Sequence, residues 1–171
     1  MKTEIQILQK VNIYIKKYLS IELKQQGHYL TGGLERSIQG EIKNIVNGSS
    51  LEGSMANYGF IVDAGTAPSK IPYSENSGAT TSKYISGLTN YFKLRGLSEK
   101  EAKRAAFATA KVQKKEGMPT RNSYSYAKNN ERREFIEHTN KQIENKVDTM
   151  VFNSIDSEFE KVFNKQLSEI I

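Results

Sequence analysis

The chain of 171 residues has no cysteine and no tryptophan, and it holds 3 prolines and 2 histidines. The absence of cysteine excludes disulfides, thiolate catalysis and cysteine-type zinc sites. No apolar run approaches the roughly 18 residues of a membrane span, and the amino terminus lacks the apolar segment of a signal peptide. We therefore expect a soluble protein that is not exported by that route and has no membrane partner.

Residue types that carry enzymatic chemistry are also scarce. Glu134 and His138 lie four residues apart, but a metal site needs three or four converging ligands, so this pair is typical of an exposed helix face. No G-x-S-x-G elbow accompanies the serines, and His28 is the other candidate base. Asp63 is expected to bind the backbone amides of the Gly65–Thr66 turn. The sequence predicts no catalytic residue, metal site or cofactor; an enzyme with an unrecognised site stays an alternative.

The length predicts one domain, residues 1–171, in three parts. Residues 1–72 form a helix plus a small sheet, 73–130 hold loops and two helices, and 131–171 are helical. The hydrophobic fraction of 37% is low for a compact protein. Either a partner completes much of the apolar surface, or some segments are extended and solvated.

The periodicity of the first half predicts a helix followed by an antiparallel hairpin. Residues 3–25 carry apolar side chains on two sides of a helix, which is therefore either buried or shared with a neighbour. Gly27 is expected to end it in a left-handed conformation. From Ser37 the period changes to two, and Asn47–Gly48 is a strong signal for a tight turn into a second strand. Residues 58–64 fit either a strand or a short helical turn.

The second half predicts three helices separated by polar loops. One helix spans residues 82–94, and a second follows a capping box at Ser98 and Glu101, with an alanine-rich face that allows close helix contact. A last helix begins near Asn130 and runs toward the carboxyl terminus; at about 60 Å it either bends back or extends toward another subunit. The loops at 66–81 and 117–130 are expected to be functional, or disordered when alone.

Two short blocks of sequence carry the most information. The first is Thr31-Gly32-Gly33-Leu34-Glu35-Arg36-Ser37-Ile38, which predicts a glycine turn that leads directly into the first strand rather than a helix. The second is Tyr58-Gly59-Phe60-Ile61-Val62-Asp63-Ala64-Gly65-Thr66, an aliphatic run that ends at a glycine.

Together the blocks resemble the T-G-x-L-x-x-S-I and Y-x-x-x-V-[ED]-x-G-T patterns of the neck and tail-completion proteins of tailed bacteriophages. The resemblance covers residues 1–72. In the family a Pro-Phe-Leu-Arg-Pro type segment soon follows the second pattern, whereas here Ile71-Pro72 stands alone and about a hundred residues follow. The Gly117-Met118-Pro119 loop and the Phe135-Ile136 pair are similar to those of larger relatives in phages of gut Bacteroidetes, including the crass-like group.

The predicted elements together indicate an α+β fold, with an amino-terminal helix on a small antiparallel sheet and further helices that include a long carboxyl-terminal one. The resemblance implies a virion structural protein, assembled in the host cytoplasm, in a head-to-tail connector ring at the neck. The ring would be a homo-oligomer of twelvefold or sixfold symmetry that contacts the portal, tail or other connector proteins. The loops at 66–81 and 117–130 would order against adjacent subunits, and DNA would pass through the lumen.

The charge is concentrated in the middle third. The chain has a net charge of +6, and residues 66–134 carry 14 basic and 6 acidic side chains, whereas residues 135–171 carry 4 and 7. This asymmetry fits non-specific contact with nucleic acid, head-to-tail packing between copies, or simply a solvated helical surface. The basic residues predicted to contact DNA or a subunit are Lys111, Lys114, Lys115, Arg121, Lys128, Arg132 and Arg133. Sequence-non-specific nucleic-acid binding is the alternative function.

Overall fold

A computed structural model of the chain describes residues 2–46, 48–75 and 82–170. Its α+β architecture, with a two-stranded antiparallel sheet among helices, confirms the predicted fold class. The elements in chain order are α1 (Lys2–Gln25), α2 (Gly33–Ser37), β1 (Gln39–Ile45), β2 (Gly48–Ser54), α3 (Tyr58–Ala64), α4 (Lys83–Leu94), α5 (Glu99–Glu116) and α6 (Phe135–Ile170), with short 3-10 helices at Pro68–Lys70 and Arg121–Tyr126.

The chain forms two compact units that are interleaved in sequence. The first unit contains α1 as far as Lys24, the segment Gly32–Ala56, and the chain from Glu134 onward. The second contains Gln25–Thr31 and Asn57–Arg133. The three predicted parts of the chain therefore do not coincide with the compact units, because segments distant in sequence join each unit.

The core of the first unit comes from the apolar faces of its helices. Its buried apolar side chains are Val11, Leu23, Leu34, Ile38, Phe135 and Ile143. The hairpin pairs Ile42 with Leu51 at its middle, as the period of two predicts. The Nδ2 atom of Asn12 donates a hydrogen bond of 3.3 Å to the Gly40 carbonyl, which links α1 to β1. The predicted tight turn falls partly on Asn47, which lies outside the described residues.

The last helix begins later than predicted. Asn130 and Glu134 have φ angles of 59° and 55°, and a left-handed residue interrupts a right-handed helix, so α6 begins at Phe135 rather than near Asn130. From there α6 is continuous for 36 residues, about 54 Å at the usual rise. The alternative in which this helix bends back on itself is therefore wrong.

The second unit is built on α4 and α5. Ala102, Ala106 and Ala110 recur every four residues on α5 and are fully buried, which confirms the close helix contact that the alanine-rich face predicts. Ile85 of α4 packs in the same cluster. The predicted capping box is also present. The Ser98 side chain binds the backbone amide of Glu101, and the Glu101 side chain binds the backbone amide of Ser98.

The alternative left open for residues 58–64 is settled in favour of a helix, α3. Gly27 has a φ of 69°, as predicted for the chain reversal after α1. No helix in the described part of the chain is both long enough and apolar enough to cross a membrane.

Candidate functional site

The first sequence block forms a turn and a short helix. Gly32 has a φ of 71° and precedes α2, and the Arg36 amide donates to its carbonyl at 3.0 Å. The prediction that this glycine turn leads directly into a strand rather than a helix is therefore wrong. One helical turn intervenes because Leu34 and Ile38 are buried while Arg36 between them is exposed, and strand alternation would place all three on one face. The positive φ belongs to Gly32, whereas Gly33 is the first helical residue.

Polar side chains of the same block fasten α2 within the first unit. The Ser37 hydroxyl donates to the Leu34 carbonyl at 2.7 Å and accepts from the Ala56 amide at 3.1 Å. The Glu35 carboxylate accepts hydrogen bonds from the Ser20 hydroxyl and, at 2.9 Å, from the Lys24 ammonium. These bonds, the one from Ser20 first, lower the pKa of Glu35. The side chains of this block thus connect α2 to α1 and to the residues that follow β2.

The second block lies in the second unit, where it positions the loop after α5. Gly65 has a φ of 75° and its amide donates to the Ile61 carbonyl at 2.9 Å. Thr66 and Met118 then exchange two backbone hydrogen bonds of 2.8 Å each. Both amides of the Gly65–Thr66 turn therefore have main-chain acceptors, and the bond from Asp63 to this turn stays a prediction.

At Gly65 and Gly117, beside this bridge, the two backbone segments leave no room for a Cβ atom. A Cβ atom on Gly65 would lie 2.5 Å from the Met118 carbonyl oxygen and 2.8 Å from Nε of Arg133. A Cβ on Gly117 would lie 2.5 Å from the Thr66 carbonyl oxygen. The Nη2 atom of Arg133 also donates to the Met118 carbonyl at 3.2 Å. Glycine in the second block is thus explained by close packing of the loop that contains Met118.

The seven basic residues predicted to contact DNA or a subunit differ in the contacts that they make. Lys111 pairs with Glu75 at 2.9 Å, and Lys114 donates to the Ile71 carbonyl at 3.0 Å, so both hold the segment after the first 3-10 helix against α5. Arg133 binds the carbonyl of the Met118 loop. All seven are exposed except Arg132, which is partly buried.

Arg132 lines a cleft of about 530 Å³ that lies entirely within the second unit. One wall is apolar or aromatic and comes mainly from α3 and α4: Ile61, Val62, Leu88, Tyr91, Phe92 and Tyr126. Among the lining residues Arg95 and Arg132 are the two that carry full charges, and no aspartate or glutamate of the described residues lines the cleft. The size is that of a pocket for a small organic ligand.

The polar groups of the cleft are incompletely paired. The Nη1 atom of Arg132 donates to the Gly27 carbonyl at 3.5 Å, but its buried Nε has no hydrogen-bond partner among the described residues. The Nε2 atom of His28 is also buried and has no partner within the described part of the chain. Burial, reinforced by the charge of Arg132, lowers the pKa of His28 to about 4, so its imidazole is neutral at pH 7.

Arg95 occupies the aromatic side of the cleft. Its guanidinium carbon lies 5.0 Å from the ring centre of Tyr91 and 5.5 Å from that of Tyr126, both within cation–π range. Burial lowers the pKa of Arg132, and the positive charge of Arg95 acts in the same direction. The two arginines are thus close enough to repel each other.

Of the residues that line the cleft, the sequence singles out Arg132 as a basic residue, His28 as a candidate base, and Val62 and Gly65 as part of the second block. No local signal joins them, because His28 and Arg132 are 104 positions apart in the sequence and meet only through the fold of the second unit.

A second polar cluster lies in the first unit. The fully buried Glu22 accepts a hydrogen bond of 3.1 Å from Nε2 of Gln142, and Nδ1 of His138 lies 3.7 Å from its other oxygen. No group of three or more histidine, aspartate or glutamate side chains in the described residues is arranged to hold a metal ion. This cluster links α1 to α6.

Comparisons of this chain with protein-family models, with curated proteins and with solved structures find no match.

Proposed function

We propose that this chain is a structural subunit of a head-to-tail connector ring in a tailed phage. The supporting sequence feature is the pair of blocks that resembles neck and tail-completion proteins. Both blocks stabilise turns and packing in the structure, which is what a structural role for them requires. The main structural support for the proposal is the exposed apolar face of α6.

The distal half of α6 exposes large apolar side chains on one face. Each of them is between 42% and 73% exposed, and they are Phe152, Ile155, Phe159, Val162, Phe163 and Leu167. At 100° per residue these positions fall within an arc of roughly 140°. A contiguous apolar stripe of this kind is typical of a helix that packs against a partner.

The partner in this proposal is a neighbouring copy of the chain. Residues 135–171 are net acidic and residues 66–134 are strongly basic, so copies that pack head to tail bring opposite charges together. An obligate contact of this kind buries about 2,000 Å² or more. The loops at 66–81 and 117–130 would add contacts when they order in the ring, although residues 76–81 lie outside the described part of the chain.

The proposal is tested by assembly of the purified full-length chain, measured by light scattering and electron microscopy. We expect closed rings. Deletion of residues 152–171 should abolish them while the circular dichroism signal of both helix and strand survives. Rings that form normally from the truncated chain would contradict the assembly role of α6.

A matched pair of point variants separates the apolar face from helix stability. Replacing Phe152 and Phe159 with serine should abolish rings. Replacing the exposed Asn153 and Glu160 with serine changes the neighbouring face of the same helix and should leave rings intact. Equal loss of assembly in both pairs would show that helix stability, not the apolar face, decides assembly.

Non-specific nucleic-acid binding stays the second candidate, because Lys115, Arg121 and Lys128 are exposed in the second unit. Its test is the salt dependence of binding to a random DNA duplex. Replacing these three residues with glutamine should reduce the steepness of that dependence if they contact phosphates. An unchanged salt dependence would remove the candidate.

A further inference from the structure

The cleft of the second unit has features that subunit packing leaves unexplained. Two guanidinium groups share one partly enclosed space, and no carboxylate of the described residues lines it. Like charges at one cleft repel each other when no counter-charge lies between them, and a cleft lined by one sign of charge attracts ions of the opposite sign. An oxyanion would supply the counter-charge and accept hydrogen bonds from the guanidinium groups.

The aromatic side of the cleft indicates the kind of molecule to which the anionic group is attached. Tyr91, Phe92 and Tyr126 form an aromatic wall beside the arginines, and Leu88 extends it. Such a wall favours a flat ring, which can stack on aromatic faces and on a guanidinium plane. The volume of about 530 Å³ accommodates a ring and a phosphate together, and it is too large for an inorganic ion alone.

We propose that this cleft binds a small phosphomonoester carried on a flat ring, of which a nucleoside 5′-monophosphate is the simplest probe. The phosphate binds Arg95 and Arg132, and the ring packs on the aromatic wall. This site is independent of the connector proposal, since it lies within one unit of one chain and does not need assembly.

The test is calorimetric titration of the full-length chain with a nucleoside 5′-monophosphate, the parent nucleoside and inorganic phosphate at fixed salt. The monophosphate should bind at least tenfold more tightly than either fragment. Nucleoside binding equal to that of the monophosphate would overturn the role of the arginines. Phosphate binding equal to that of the monophosphate would overturn the role of the aromatic wall.

Three variants locate the site. Arg132→Gln should weaken binding at least tenfold, and because Arg132 is partly buried, the exposed Arg95→Gln provides a second variant that leaves the core untouched. Lys128→Gln removes the same charge from an exposed position outside the cleft lining and should change affinity less than twofold. Equal weakening in Arg95→Gln and Lys128→Gln would show diffuse electrostatic attraction and overturn the proposal.

A single-stranded oligonucleotide distinguishes the cleft from a nucleic-acid surface. The monophosphate should compete with any oligonucleotide that enters the cleft through its terminal phosphate. Oligonucleotide binding that is tight, insensitive to Arg95→Gln and not displaced by the monophosphate, together with no heat from the monophosphate alone, would overturn the proposal.

Discussion

Three glycines of the second unit permit a direct test of why the second sequence block contains Gly65. Alanine at Gly65 would be strained twice, because the residue has a φ of 75° and its Cβ would lie 2.5 Å from a main-chain oxygen. Gly96 has a φ of 92°, but a Cβ added there would meet none of the described atoms within 4 Å, so alanine meets only the conformational penalty. Gly87 lies in the middle of α4 with open space around it and has neither problem.

These differences set the expected magnitudes. A left-handed conformation costs a residue with a Cβ about 1 to 2 kcal/mol, and overpacking against backbone adds about 1 to 3 kcal/mol. Gly65→Ala should therefore destabilise by roughly 2 to 5 kcal/mol, and Gly96→Ala by about 1 to 2 kcal/mol. Gly87→Ala should stabilise by about 0.5 to 1 kcal/mol, because alanine favours a helix interior.

Urea unfolding followed by far-ultraviolet circular dichroism measures the three free energies of unfolding, with a constant slope confirming that each variant unfolds in the same way. The order of stability should be Gly87→Ala, then wild type, then Gly96→Ala, then Gly65→Ala. A Gly65→Ala variant as stable as Gly96→Ala would refute the close approach of Gly65 to the Met118 loop. A Gly65→Ala variant as stable as Gly87→Ala would also refute the argument that the positive φ of Gly65 disfavours alanine.

Three further predictions concern other residues. Gly32→Val should destabilise by roughly 1 to 3 kcal/mol, because a β-branched residue must adopt the φ of 71° at the start of α2; unchanged thermal unfolding would remove this role. Burial and the charge of Arg132 lower the pKa of His28 in the folded protein to about 4. Between pH 6.5 and about 4 the histidine is therefore protonated more in the unfolded state than in the folded state, so the free energy of unfolding should fall as the pH decreases through this range. The loss, discounted for partial exposure, is about 1 to 2 kcal/mol and should be absent from His28→Gln. Glu22→Ala should destabilise by about 1 to 3 kcal/mol, because it removes the buried carboxylate that accepts the Gln142 hydrogen bond between α1 and α6; thermal unfolding within about a degree of wild type would contradict this.

The parts of the fold that depend on local signals could be predicted from the sequence. Ser98 and Glu101 specify a helix start through their own backbone bonds, and the alternation around Ile42 specifies a strand, so both predictions are confirmed. The start of α6 could not be predicted in the same way. Glu134 has a positive φ although glutamate favours helices, and the sequence contains no glycine or proline between Asn130 and Phe135 to mark the boundary.

The first block shows a different limit. The spacing of Leu34 and Ile38 fits a helical turn, and the alternation that starts nearby fits a strand, so a short window contains both periods. Burial of both side chains in the first unit decides for α2, and that burial depends on residues elsewhere in the chain. A helix of five residues has too few positions for its periodicity to be distinguished from the strand pattern that follows it.

The basic residues of the middle third show why charge in a sequence does not predict how that charge is used. Lys114 and Arg133 donate to main-chain carbonyls and thereby hold loops in place. Arg95 and Arg132 line a cleft with an aromatic wall. Binding to a DNA backbone requires several exposed cations at once, because each phosphate contact releases a counterion, and the exposed lysines and arginines elsewhere in the second unit can serve that purpose. Two guanidiniums at one cleft can instead bind one localised anion, so these two arginines fit a small phosphorylated ligand.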